Sequence, residues 1–240
     1  METILTFGLV VLISSTISGM SGVGGGVLLL AFMTPLFPPH VLIPLHGIVM
    51  MSGNIIRVSM SYKHVNLKII TFFTTGALIG ALAGAPFTLS LPKDTFRIVL
   101  AAAILVMTWI PISKKEIRFP GQFAIVGAVA SFLSLFIGAT GPFTAPFFLR
   151  AKLGNEGFIA NRVASNIPVH LFKTGVYMFS GFLLHQWWRL IVVAVVMGIV
   201  GNWISKQLLG KIPEHYFTIV VKILITMLVL RMVNSALHII

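Results

Sequence analysis

Two runs of polar and basic residues interrupt apolar stretches of the chain, and their chemistry suits an anion. The first run is His46, Met50, Asn54 and Arg57, and the second is Arg162, Asn166, His170 and Lys173. Within the first run the steps are four, four and three residues, which places its members on one face of a helix. Buried ionisable groups are costly and usually face a wet cavity or the interior of a helix bundle. The two faces are therefore predicted to line one path together.

Blander interpretations of these residues stay open. Arg57 and Lys173 could extend from helix ends to lipid headgroups. Arg162 and Asn166 could make packing hydrogen bonds, and each histidine alone could be structural. If either His46 or His170 titrates during transport, it would couple transport to protons, because histidine titrates near neutrality.

The acidic residues point away from cation chemistry. The five of them fall at predicted helix ends or loops and are Glu2, Asp94, Glu116, Glu156 and Glu214. Cation pathways, proton relays and Mg²⁺ or Ca²⁺ cages usually need a carboxylate within a span. The chain also has no cysteine. We therefore predict no catalytic residue, no metal site and no cofactor, and an anionic ligand.

Two glycine-containing segments add a second element of the predicted site. One is Gly22-Val23-Gly24-Gly25-Gly26 and the other is Gly138-Ala139-Thr140-Gly141-Pro142. Each would break a helix and start a short half-helix, whose amino end exposes unpaired N–H groups and a partial positive charge. Two such ends would form an anion cradle from backbone N–H groups of Gly24, Gly25, Thr140 and Gly141, with hydroxyls of Ser21 and Thr140 as further donors. The alternative is that these glycines only allow close helix packing.

Composition indicates that these elements lie in a membrane. Hydrophobic residues make up 57% of the 240 residues, charged residues 9%, and mean hydropathy is +1.02. Such a chain cannot cover a water-facing surface, which excludes a soluble enzyme, a disordered tail and a nucleic-acid module. The net charge of +12 is then the lysine and arginine bias of cytoplasmic loops. Six full spans are predicted at 41–60, 67–90, 95–112, 157–180, 186–208 and 215–238. Two interrupted stretches cover 3–34 and 120–150.

The two halves of the chain repeat. A shift of 116 residues places His46 on Arg162 and Arg57 on Lys173. We predict an all-α membrane protein with a first repeat at 1–113, a cytoplasmic linker at 114–119 and a second repeat at 120–240. If each broken element is a re-entrant hairpin, one side collects eleven Lys and Arg against four. If each crosses, the count is eight against seven, so the positive-inside rule favours hairpins followed by three spans, inverted halves and both termini outside.

The chain resembles the TauE/SafE family, often called sulfite exporters, over nearly its whole length. The resemblance is carried by Ser18-Gly19-Met20-Ser21-Gly22-Val23-Gly24-Gly25-Gly26-Val27-Leu28-Leu29 with Pro35, by the weaker copy around Gly138–Phe148, by Asn54, Arg57, Asn166 and Lys173 in the following helices, and by the Leu-Pro turn before the last helix of the first half, matched by Ile-Pro in the second. It implies export of small sulfur oxyanions or organosulfonates, such as sulfite, thiosulfate or sulfoacetate, from the bacterial cytoplasm. Where many members have a Thr-Ser pair, this chain has Leu45-His46-Gly47 and Asn161-Arg162-Val163. The added basic residues favour a larger or more charged anion.

The expected function is a secondary transporter that exports a small sulfur-containing anion across the inner membrane by alternating access around a midplane site. The alternatives are an anion channel, a carrier of a carboxylate without sulfur, and a membrane enzyme acting on lipid or an activated sugar. Expected partners are the anionic substrate and the lipid bilayer, with no nucleic acid. Exposed apolar faces are compatible with a homodimer.

Overall fold

A computed structural model describes residues 2–21, 25–88 and 121–208, together with isolated helical positions between 98 and 109 and between 219 and 234. The helices in the three long ranges are α1 (Glu2–Ser21), α2 (Gly25–Met33), α3 (Pro39–Ser61), α4 (Leu67–Thr88), α5 (Gln122–Ile137), α6 (Gly141–Arg150), α7 (Gly154–Phe179) and α8 (Trp188–Leu208). Short 3₁₀ turns cover Tyr62–His64 and Leu184–Trp187. The described residues contain no β-strand. The predicted linker at 114–119 and most of the spans at 95–112 and 215–238 lie outside the described residues.

Three helical segments are long and apolar enough to cross a membrane, in agreement with the predicted spans. They are Pro39–His64, Leu67–Thr88 and Leu184–Ser205. Helix α7 has the length as well, at 26 residues, but it carries the second polar run. The chain is therefore an all-α membrane protein, and the buried His, Arg and Lys side chains among the described residues lie on α3 and α7.

Both predicted helix breaks are confirmed. Helix α1 ends at Ser21 and α2 begins at Gly25, while α5 ends at Ile137 and α6 begins at Gly141. Gly138 has a φ of 78°, in the left-handed region, and its N–H donates to Ser134 O at 2.9 Å. Only glycine adopts this conformation without strain, so it ends α5 where it stands.

Helices α1 and α2 fold back on each other as a first hairpin, and α5 and α6 do so as a second. The rings of Phe7, early in α1, and Phe37, after α2, lie 5.5 Å apart in an edge-to-face contact. In the second half the rings of Phe123, early in α5, and Phe148, late in α6, lie 5.1 Å apart. From Phe7 to Ser18, which contacts Gly25, the helix rises about 16 Å, roughly half the thickness of a bilayer core.

The open ends of the two hairpins, which are far from the glycine breaks, lie near opposite ends of α3. Phe37 immediately precedes α3, whereas Phe148 contacts Phe73 in the second turn of α4, at 5.9 Å between ring centroids. The connection between α3 and α4 also contacts the start of α7, because Asn161 accepts a hydrogen bond from Asn66 N at 2.7 Å. With 23 residues, α3 separates these two regions by about 34 Å.

Contacts between the halves are reciprocal. Helix α1 packs on α8, α4 packs on α5, and α3 packs on α7 at the centre. At the α4–α5 contact the backbones almost touch: a Cβ added to Gly76 would lie 1.8 Å from Ala124 O, and one at Gly80 would lie 1.9 Å from Ala128 O. Glycine at these two positions lets the helices approach closely enough for backbone van der Waals contact.

Candidate functional site

A small internal cavity lies where α2 and α6 meet α3 and α7. Its volume is about 30 Å³, which is room for about two water molecules. Nine of the predicted site residues line it: Gly25, His46, Asn54, Arg57, Thr140, Gly141, Arg162, Asn166 and His170. Gly24 lies outside the described residues, and Lys173 lies behind the cavity wall against His46. The two polar runs, 116 residues apart in sequence, therefore share one cavity.

The amino ends of both half-helices border this cavity. Helix α2 begins at Gly25, and α6 begins at Gly141 after Thr140. Thr140 is 2% exposed and its side chain makes no capping hydrogen bond. Proline in the first turn of α6 removes one N–H group that could not have bonded within the helix. The remaining first-turn N–H groups and the helix dipoles make both ends attractive to negative charge.

Two guanidinium groups give the cavity a strong positive charge. Arg57 from α3 and Arg162 from α7 both line it, and their charges interact. Arg162 is 7% exposed and lies over the Phe158 ring at 5.9 Å from the centroid. The described lining residues include no carboxylate. A bound anion would offset part of this positive charge.

The last residues of the two polar runs, Arg57 and Lys173, make different hydrogen bonds. Arg57 Nε donates to Asn202 Oδ1 on α8 at 3.0 Å. Lys173 is fully buried, and its Nζ donates to Gly138 O, at the tip of the second hairpin, at 2.8 Å. Lys173 therefore does not extend to lipid headgroups, which rules out that interpretation for this residue.

His46 connects Lys173 to the first hairpin. Its Nε2 lies 2.9 Å from Gly26 O, and its Nδ1 lies 3.3 Å from Lys173 Nζ. A carbonyl oxygen only accepts, so Nε2 carries the proton and Nδ1 of the neutral ring accepts from Lys173. Three hydrogen bonds in series, from Gly26 through His46 and Lys173 to Gly138, connect the two hairpins beside the cavity.

Two buried nitrogen atoms at the cavity have no hydrogen-bond partner among the residues that the structure describes. They are Asn54 Nδ2 and His170 Nδ1. The His170 ring lies 5.9 Å from the His46 ring, edge to face. Buried polar groups are nearly always satisfied, so an unpaired amide donor next to a cavity indicates a ligand or water site. Proton coupling through either histidine stays a prediction.

Sequence reasoning missed two residues at the site. Ser18 on α1 is 7% exposed and lies against Gly25 so closely that a Cβ there would overlap it. Asn202 on α8 holds Arg57. Ser18 was part of the glycine motif, and Asn202 is an amide within an apolar run, but neither position belongs to the helical spacing of the two polar runs.

No group of three or more metal-ligating side chains occurs within the described residues. The donors at the cavity are N–H and hydroxyl groups and guanidinium cations, a set that binds oxyanions rather than metal cations.

One comparison with known proteins gives a match. The family model for the sulfite exporter TauE/SafE matches residues 7–232. No curated protein and no solved structure matches the chain.

Proposed function

The chain belongs to the sulfite exporter TauE/SafE family of membrane transporters, and on that premise we propose that it exports a small sulfur-containing anion, sulfite or an organosulfonate, across the cytoplasmic membrane. The observation that carries this proposal is the shared cavity. It combines two guanidinium groups and two half-helix amino ends with no carboxylate among its described lining residues.

A sulfonate or sulfite head would suit these donors chemically. Its three oxygen atoms can each accept more than one hydrogen bond. Arg162 presents a planar fork of N–H donors, the geometry that suits an oxyanion. The first-turn N–H groups at Gly25 and Gly141 would take further oxygen atoms, with Gly24 extending the cradle. Asn54, Asn166 and His170 would orient the head, and Arg57 would add charge. The His46 ring, whose two nitrogen atoms are engaged with Gly26 O and Lys173 Nζ, would line the cavity beside the head.

Lys173 has a different role in this proposal from the one its sequence position suggested. Its Nζ is engaged with Gly138 O and His46 Nδ1. It would therefore hold the two hairpin tips in register and act on the anion only through His46.

Transport would proceed by alternating access of two inverted repeats, residues 1–113 and 120–240. The reciprocal contacts of α1 with α8 and of α4 with α5 support this arrangement. The open ends of the two hairpins lie near opposite ends of α3, which supports it as well. Asn54, Arg162 and His170, which line the cavity, are each less than 10% exposed, so the site would have to open for an anion to enter. Rocking of the halves around α3 and α7 would open it to one side at a time.

A binding experiment tests the proposal directly. Purified protein in detergent would be titrated calorimetrically with sulfite, ethanesulfonate, sulfate, phosphate and acetate. We expect selective binding of sulfite or the sulfonate, and a loss of about 10- to 100-fold in affinity in Arg162→Ala, because a hydrogen bond to a charged group contributes about 1.5–3 kcal/mol.

The matched control is Arg189→Ala. Arg189 is exposed and lies over the Trp188 ring, away from the cavity. The control should bind like the wild type. Equal affinity in Arg162→Ala and the wild type would contradict the site, and tightest binding of acetate would favour the carboxylate carrier.

Flux measurements separate a carrier from a channel. In proteoliposomes loaded with the bound anion, a carrier shows saturable uptake of labelled anion that is accelerated by unlabelled anion on the opposite side. Linear, non-saturating flux without this acceleration would contradict alternating access.

A further inference from the structure

A second cavity adjoins the anion cavity and lies between α1, α2, α3 and α8. Its volume is about 20 Å³, which is room for one or two water-sized particles. The two cavities share a wall formed by five lining residues, Ser18, Gly25, Met50, Asn54 and Arg57. Ser14, Ser15 and Asn202 line the second cavity but not the first. A ligand in the second cavity can therefore be told from a ligand in the first by substitution.

Two buried donors from different helices border the second cavity without a partner among the described residues. They are Ser14 Oγ on α1 and Asn54 Nδ2 on α3, and both residues are 2% exposed. An amide nitrogen donates and cannot accept, and the Ser14 hydroxyl can donate as well. Buried polar groups are nearly always paired, so these two atoms indicate a particle that accepts hydrogen bonds.

Positive charge reaches the second cavity from Arg57. Its Nε donates to Asn202 Oδ1 at 3.0 Å, and Asn202 Nδ2 donates in turn to Gly198 O at 2.8 Å. Both polar atoms of Asn202 are thus occupied in fixing the guanidinium group at the cavity wall. The amino end of α2, at Gly25, borders the same space, and no carboxylate is among the described lining residues. The charge here has one sign, which favours an anion.

We propose that the second cavity is a separate binding site for a halide ion, chloride under physiological conditions. A halide ion is monatomic and accepts hydrogen bonds from every direction, so it needs donors and positive charge but no acceptor. The Ser14 hydroxyl and Asn54 Nδ2 donate to it, and Arg57 supplies the charge. A water molecule would satisfy the two donors, but its own two hydrogen atoms would need acceptors, and it would leave the charge of Arg57 unopposed.

The shared wall couples the halide site to the transported anion. This coupling rests on the proposed function, whereas the halide site itself does not. Asn54 and Arg57 line both cavities, and two anions held beside one guanidinium group repel each other. Each anion therefore lowers the affinity for the other by the same factor. The halide ion thereby acts as a displacing ligand for the transported anion.

The first test measures halide binding by chloride nuclear magnetic resonance on the purified protein in detergent. Chloride that exchanges with a protein site has a broader resonance than free chloride, and a competitor for that site removes the extra width. We expect broadening that bromide reverses and that gluconate, at equal ionic strength, does not. Absence of bromide-sensitive broadening would mean that the cavity holds only water and would overturn the inference, without bearing on sulfite binding.

Two variants and a control locate the ion. Ser14→Ala removes a donor of the second cavity alone and should weaken chloride binding about 10-fold or more. Arg162→Ala removes a guanidinium group of the first cavity alone and should weaken it less. Ser59→Ala is the matched control, because Ser59 is exposed on α3 and its hydroxyl donates to Ile56 O. A larger loss in Arg162→Ala than in Ser14→Ala would place chloride in the first cavity and overturn the inference.

Calorimetric titration with sulfite tests the coupling. The affinity for sulfite should be at least about 5-fold weaker in chloride than in gluconate at equal ionic strength, and the difference should shrink in Ser14→Ala. Equal sulfite affinity in the two salts would contradict the coupling. Chloride binding by a protein that binds neither sulfite nor a sulfonate would support the halide site and overturn the proposed function instead.

Discussion

The last residue of each polar run occupies a different environment in the two halves. Arg57 is partly buried, borders both cavities and is held by the side chain of Asn202. Lys173, 116 residues later, is fully buried and holds the backbone of the second hairpin and His46. The two positions that the predicted repeat makes equivalent thus differ: one cation lines the cavity, and the other joins the hairpins.

The first residues of α7 extend this asymmetry. Asn161 is fully buried and accepts from Asn66 N while donating to His64 O and Gly157 O. The position 116 residues earlier is Leu45, which is buried in the apolar core. The Asn161 side chain thus clamps the connection between α3 and α4, and Leu45 has no polar side chain with which to form an equivalent clamp.

The largest effect on stability is expected at the contacts between the halves, where the α4–α5 contact is tighter than the α1–α8 contact. Gly76→Ala would place a Cβ 1.8 Å from Ala124 O, a backbone atom, whereas Gly201→Ala would place one 2.7 Å from Leu12 O. Separating α4 from α5 should cost about 3 kcal/mol, which lowers the melting temperature by about 6–12 °C. Gly201→Ala should cost less. Melting curves in detergent give the ranking.

Gly175→Ala provides the matched control for this series. No described residue has an atom within 4 Å of a Cβ added at Gly175, which is within α7. Alanine there should stabilise the helix by up to about 1 kcal/mol. A melting temperature for Gly76→Ala equal to that of Gly175→Ala would contradict the close approach of α4 and α5.

The clamp at Asn161 should account for the next largest effect. Asn161→Leu makes the second half resemble the first and leaves Asn66 N and His64 O without this partner. The expected loss is about 2 kcal/mol, or about 4–8 °C. Asn155→Leu, at an exposed position of the same helix, should change little. Equal melting temperatures for Asn161→Leu and Asn155→Leu would show that the clamp does not stabilise the connection.

Substituting each terminal cation by methionine separates their tasks. Lys173→Met leaves Gly138 O and His46 Nδ1 without a donor and should lower stability by about 1–3 kcal/mol. Arg57→Met should leave stability nearly unchanged and weaken anion binding about 10-fold or more. Melting curves and calorimetry on the same samples check both. A more stable Lys173→Met would show that the buried amine costs more than its hydrogen bonds contribute.

The smallest effect is expected at the exposed pair near the clamp. His64 Nε2 lies 2.6 Å from Glu156 Oε2, but the two side chains are 48% and 74% exposed. Exposed pairs contribute about 0–1 kcal/mol, so Glu156→Gln should shift the melting temperature by less than about 3 °C. A shift as large as that of Asn161→Leu would mean that charge rather than the buried amide holds this connection.

Much of the molecule follows from local sequence. The breaks between α1 and α2 and between α5 and α6 fall where the glycine segments predicted them, because glycine and proline act on their own backbone. The spacing of three and four residues places each polar run on one face of its helix, and the packing of α3 on α7 then brings the two faces to one cavity. The apolar composition determined that these helices lie in a membrane.

Tertiary structure alone decided what each polar residue contacts. Arg57 and Asn202 are 145 residues apart in sequence, and Lys173 and His46 are 127 apart. Helical periodicity predicts contacts only between residues within a few turns of one helix, so it could not predict these pairs. The second cavity likewise exists only because α1 and α8 pack beside α3. A helix face depends on neighbours within one turn, whereas a hydrogen-bond partner depends on which helices pack together. For that reason the sequence determined which residues share a polar helix face, and packing decided which of them border the cavity and which hold the hairpins.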